Sequence, residues 1–139
     1  MTDTVKSNFQ YTTPRIRNFN YSINSSFEDG ELEVRLQHRK RIERKSENEA
    51  YVELNMKISA DAEVSPFEID YTVFANFKWE NMPEDKVKVF LNRTAPSLLV
   101  GYIRPIIAMF TNSSGFQPFN LPLIDFTKEP LMDVDLKTE

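Results

Sequence analysis

At 139 residues the chain has the size of one domain, and its formal net charge of −4 has the wrong sign for a protein whose main partner is nucleic acid. Hydrophobic residues make up 40% of it, with 11 Phe and 5 Tyr, which is enough apolar surface to build a core and too much for a disordered chain. Cysteine is absent, which excludes disulfides and a zinc–thiolate centre. A monomer this small gains from association.

The opening stretch, MTDTVKSNFQ, lacks an apolar core, so no signal peptide is expected. The longest apolar run, 98–110, is too short to span a bilayer and contains Gly101, Arg104 and Pro105. A cytoplasmic protein without membrane insertion is the expectation. Residues 9–23 read as an extended, irregular strand, with Phe19, Tyr21 and Ile23 on one face and Asn18, Asn20 and Ser22 on the other. Pro14 predicts an edge position or a bend. Residues 24–30 (NSSFEDG) read as a loop.

Strands at 31–44, 49–61 and 66–79 follow, each alternating with period two. In the first, Leu32, Val34, Leu36 and His38 share a face. In the second, Val52, Leu54, Met56, Ile58 and Ala60 do, and in the third Phe67, Ile69, Tyr71, Val73, Ala75, Phe77 and Trp79. This is the pattern of an antiparallel sheet with one buried and one solvated face, and the short polar connections at 45–48 and 63–65 predict neighbouring strands.

Residues 81–94 read as a helix with Asn81 as N-cap, Pro83, Glu84 and Asp85 in its first turn, and Val87, Phe90 and Leu91 as its buried stripe. Pro96 is expected to break it from the main helix, where Leu99, Tyr102, Ile103, Ile106, Ile107 and Phe110 recur at three- and four-residue steps. TNSSG at 111–115 is a stop, with Gly115 available for a positive φ. Beyond it, Phe116, Phe119, Leu121, Leu123, Ile124 and Phe126 are interrupted by Pro118 and Pro122. That segment can be neither helix nor central strand and must lie extended over something apolar. It reads either as a core-covering loop or as the wall of an apolar groove. The fold class predicted is therefore α+β: a four-stranded antiparallel sheet followed by helices packed on one face. A single domain over 1–139 is expected, with 1–8 and about 128–139 poorly ordered.

Pro96, Leu98, Leu99, Tyr102, Arg104, Ile107, Phe116, Asn120, Leu121 and Phe126 stand in an order and spacing that resembles the SecB protein-export chaperones. The resemblance implies an ATP-independent chaperone that holds unfolded polypeptides in long apolar grooves, assembled as a dimer-of-dimers tetramer. It places Phe27, Trp79, Phe116, Phe119, Leu121 and Phe126 as client-contacting or groove-supporting residues. It also implies docking on the export motor ATPase through an acidic patch on the solvated sheet face. Asp70 falls on one acidic family position and Glu68 stands beside it, but Asn18 and Ser22 occupy positions where carboxylates are expected. Docking on the motor is therefore expected to be weak, absent or rebuilt around Glu68 and Asp70. An oligomeric adaptor of the same fold and a chaperone dedicated to one antitoxin are the alternatives.

Catalytic chemistry has little support. His38 is the only histidine and sits within a strand pattern, so a structural role is the simpler reading. Glu68 and Asp70 as an acid/base pair would need a cleft that alternation does not predict. With Gly30, Gly101 and Gly115 the only glycines, no phosphate-binding loop can form. No metal site and no cofactor are expected. The basic run RKRIERK at 39–45 reads as the charged end of a hairpin, because Glu43 interrupts it and aromatic interleaving is sparse.

Overall fold

Period-two alternation requires each strand to turn its apolar side chains to one face, and the sheet is built on that requirement. The computed structural model describes residues 9–23, 34–60, 67–116 and 119–135. The loop 24–30 with Phe27, and Leu32 and the connection 63–65, lie outside the described residues. Five strands form one antiparallel sheet: β1 (Phe9–Tyr11), β2 (Arg15–Ile23), β3 (Val34–Ser46), β4 (Glu49–Ala60) and β5 (Phe67–Trp79). β3 pairs with β4 and β4 with β5, the meander expected of short connections. β1 and β2 both pair with the other edge of β5.

The predicted first strand is thus two strands. Pro14, buried between them, has no N–H to offer the ladder, so pairing stops there and resumes at Arg15. Thr12 bridges the gap: its N–H donates to the Asn76 carbonyl at 3.0 Å, and its Oγ1 accepts from the Asn76 N–H at 3.1 Å. A bulge between Ile16 and Asn18 then swings Arg17 to the solvated face, where its guanidinium lies 5.0 Å from the centre of the Phe74 ring and bonds Glu53 at 3.0 Å. The turn joining β3 to β4 is also tighter than predicted. Ser46 pairs with Glu49, so only Glu47 and Asn48 turn.

Every inward position of β5 is buried, and cross-strand rows such as Ile58–Ile69, Met56–Tyr71 and Leu54–Val73 form the floor of the core. α1 (Glu84–Val89), a π-helical turn (Phe90–Thr94) and α2 (Ala95–Ser113) run on without interruption and supply the roof, with Val87, Leu91, Leu99, Val100, Ile103 and Ile107 buried on the sheet. Asn81 is not the N-cap. It adopts φ 53°, a left-handed conformation that asparagine tolerates, and α1 begins after Pro83.

Pro96 does not break the helix either. The π turn lets the Ala95 N–H reach back to the Phe90 carbonyl, and Pro96 sits in the first turn of α2. The carbonyl that Pro96 cannot serve, that of Asn92, accepts instead from Lys40 Nζ of β3 at 3.1 Å. The continuous run Glu84–Ser113 is long and apolar enough to cross a membrane by length and composition, unlike the shorter stretch considered in the sequence. Its buried stripe, however, lies against the sheet as in a core helix. Gly115 takes the expected positive φ of 90°.

Replacing Ile103, fully buried under the helix, by Ala should lower unfolding stability by about 2–5 kcal/mol through lost burial and a residual cavity. Leu123→Ala, at a side chain 90% exposed, should change it by less than about 0.5 kcal/mol. Urea denaturation of the two variants checks the contrast.

Candidate functional site

The C-terminal end of α2 gathers aromatic side chains from β2, β5 and the segment that follows the helix. Phe110 lies with its ring centre 4.9 Å from that of Phe19 and 5.6 Å from that of Tyr21, both on β2. Past the helix stop, Phe116 and Phe119 each stand 5.9 Å from Phe67, at the start of β5. Register ties the two groups, because Ile23 faces Phe67 and Phe19 faces Tyr71 across β2 and β5. Thr111 fixes the return of the chain: its buried hydroxyl donates back to the Ile107 carbonyl at 3.0 Å and accepts from the Phe119 N–H at 2.8 Å. The rim of this cluster faces solvent, with Met109 57%, Ile23 46% and Phe110 37% exposed. The Tyr21 hydroxyl is enclosed there and meets no hydrogen-bond partner among the described residues.

The residues singled out in the sequence do not share one lining. Phe116 and Phe119 belong to the cluster and are half-buried. Leu121 and Phe126 are buried in the core. Trp79 is buried at the opposite end of the 13-residue β5, about 40 Å from Phe67 along the strand, under the guanidinium of Arg44. Phe110, Phe19 and Tyr21, which the sequence presented as ordinary members of a helix stripe and a strand face, are the additions. The signal for them was a main helix more apolar than one sheet face needs.

On the solvated face, Glu68 is exposed and Asp70 accepts from Asn55 Nδ2 at 3.1 Å. Lys57 stands opposite Asp70 in register, and Asn20 and Ser22 stand opposite Asp70 and Glu68 from β2. The same face carries Arg17, Arg39 and Arg41, and Glu53 is engaged by Arg17 and Tyr51. Burial, followed by the nearby Glu53 carboxylate, pushes the Tyr51 hydroxyl up to about 12. Among the described residues no group of three His, Cys, Asp or Glu is placed to hold a metal.

The inner face of β3 is polar at intervals. Lys40 and Arg44 point into the molecule, and their side chains are only 5% and 4% exposed. The C-terminal segment and α1 bring them partners: Glu129 to Lys40 at 2.9 Å and to His38 Nε2, and Glu84 to Arg44 at 2.8 Å. Burial alone would raise the Glu129 carboxyl, but hydrogen bonds from Lys40 and His38, and their charge, bring it below its ordinary value.

The fold is that of an α+β protein with its helices on one face of an antiparallel sheet. The sequence matches the family described as preprotein translocase subunit SecB over residues 19–129. The chain belongs to the SecB family of protein-export chaperones. It is 30% identical over 112 residues to the protein-export protein SecB of Cereibacter sphaeroides, covering 80% of this chain and 68% of that one. It is 24% identical to the corresponding protein of Paracoccus denitrificans, covering 66% of this chain and 65% of that one. The chain thus spans about two thirds of the length of these relatives. Among solved structures, a Mycobacterium tuberculosis SecB-like chaperone in complex with a ChAD peptide from the HigA1 antitoxin superposes with a TM-score of 0.70 at 14% identity, over 84% of this chain and 91% of that one.

Because the lowered carboxyl of Glu129 favours the ionised, folded form, its contribution to stability is present above the ordinary carboxylate range and is lost as pH falls through its folded value. Glu129→Gln should melt at a lower temperature than the parent at neutral pH, and the two should converge in acid below that range. Thermal melts across pH check it.

Proposed function

We propose that this protein is an ATP-independent chaperone that holds unfolded or non-native polypeptides for export, acting in the cytoplasm. The observation that carries the reading is the aromatic cluster at the end of α2, whose rim leaves Met109, Ile23 and Phe110 in solvent beside the half-buried Phe116 and Phe119. An unfolded chain offers scattered apolar side chains. Each one covered on such a surface is worth about 25 cal/mol per Å² removed from water, and no particular sequence is read. Phe116 and Phe119 are the contacts proposed for clients, with Leu121 and Phe126 supporting from the core and Phe27 proposed with them; Trp79, at the far end of β5, is proposed as a groove-supporting residue at that end only.

Association into a tetramer as a dimer of dimers is part of the proposal. Leu98, Tyr102 and Pro105 fall on a second stripe of α2 beside the residues that pack on the sheet, and Leu98 and Tyr102 are only half-buried, which leaves apolar surface for a second subunit to cover. Docking on an export motor through Glu68 and Asp70 is proposed as weak, because Lys57 stands opposite Asp70 and the same face carries Arg17, Arg39 and Arg41. The M. tuberculosis protein of similar fold is in complex with an antitoxin peptide, which supports a dedicated peptide client as the second reading.

Aggregation assays with several unrelated unfolded proteins separate the readings: broad suppression is expected, and capture of one partner alone would favour the dedicated chaperone or adaptor. Phe119→Ala should weaken client binding several-fold with little change in melting temperature, because the backbone bond from residue 119 to Thr111 remains. If the variant mostly unfolds, the residue is core and its assignment to the surface is wrong. Light scattering should give four times 16.3 kDa, and a mass near 16.3 kDa would rule the assembly out.

A further inference from the structure

The chain after the short 3-10 turn Phe126–Lys128 runs along the β3 side of the sheet, and among the described residues no backbone pair joins it to a strand. Side chains grip its main chain instead. Asn92, fully buried, holds Met132 at both polar atoms: its Oδ1 accepts from the Met132 N–H at 2.8 Å, and its Nδ2 donates to the Met132 carbonyl at 3.1 Å. The buried guanidinium of Arg44 donates to the Val134 carbonyl at 3.1 Å. Val134 is the one buried apolar side chain of this stretch, while Leu131 and Met132 face out at 36% and 40% exposure. Near its start, Glu129 meets Lys40 and His38.

An amide that bonds the N–H and the C=O of one residue reads backbone and ignores the side chain. A guanidinium on a second carbonyl two residues on, that of Val134 whose own side chain fills a single apolar notch, does the same. The grip of Asn92 and Arg44 reads main chain, and the buried Lys40 adds a preference for a carboxylate where Glu129 sits.

We propose that Asn92, Arg44 and the Val134 notch form a receptor site for an extended polypeptide segment, occupied in the resting protein by residues 129–135 of the chain itself, which an unfolded client displaces. The proposal rests on the chaperone reading and adds its regulation. A tethered occupant is present at an effective concentration in the millimolar range, so a competing segment must bring more apolar burial than Val134 supplies. Short or weakly apolar segments are then refused, and long apolar ones are admitted. The displaced tail also uncovers the inner face of β3, where Leu36 and Ile42 are half-buried, extending the apolar surface offered to the client.

The test loosens the tail and leaves the receptor residues intact. Met132→Pro removes the N–H that Asn92 accepts, at a side chain that faces solvent, and a chain ending at Lys128 removes the occupant altogether. The probe is reduced, carboxymethylated α-lactalbumin, a permanently unfolded chain, with binding read by fluorescence anisotropy. Both variants should bind it about tenfold more tightly than the parent, because releasing the tail raises the competent population. A synthetic peptide of residues 129–139 should compete with the probe for the shortened chain. If the shortened chain fails to fold, Met132→Pro, which keeps the full length, decides. Affinity equal to that of the parent overturns this proposal and leaves the tail a fixed cover. Absence of binding by the parent and by both variants overturns the chaperone reading as well.

Discussion

Two cations on the inner face of β3 govern how the rest of the molecule closes. Lys40 and Arg44 occupy positions where period-two alternation would place apolar side chains, and both are nearly fully enclosed. A buried charge without a partner is costly, so whatever packs there has to bring carboxylates and carbonyls. Glu129, Glu84 and the carbonyls of Asn92 and Val134 are those groups. The same requirement explains how Pro96 is accommodated inside a continuous helix: the carbonyl it leaves unserved is the one that Lys40 needs. The path of the C-terminal segment and the tolerance of a proline in the roof follow from one pair of side chains.

The sheet was readable because burial on one face leaves a period that any pairing must respect, and β3, β4 and β5 pair as that period and their short connections require. Less readable were features set by single backbone atoms. The split of the first strand follows from one missing N–H at Pro14, and the π turn accompanies another at Pro96, where the Ala95 N–H reaches back to the Phe90 carbonyl and Lys40 takes the carbonyl of Asn92. Asn81 looked like a cap because Glu84 and Pro83 follow it, yet its left-handed φ moves the helix start past Pro83. None of these choices changes the hydrophobic pattern, so the pattern could not distinguish them.

The candidate site was legible in part. Phe116 and Phe119 announced themselves by lying in a stretch that the prolines forbid from being helix or central strand. Trp79 was grouped with them by residue type, but the length of β5 holds it at the far end of the molecule. Phe110, Phe19 and Tyr21 come together only through the pairing of β2 with β5 and the length of α2, long-range geometry that a local pattern does not contain. The result is a protein with two kinds of surface on its helical side: an apolar, aromatic one at the end of α2, and a polar seam at β3 that grips main chain.

That division supports the proposed uptake of polypeptide on the helical side, at the end of α2, and not on the charged outer face of the sheet. Amide hydrogen exchange, read with and without a saturating unfolded client, tests it most directly. Protection should rise over 106–116, 119–121 and β2, while the stretch of β4 that presents Lys57 outward stays unchanged. Protection confined to that stretch, with the end of α2 unaffected by a bound client, would contradict it.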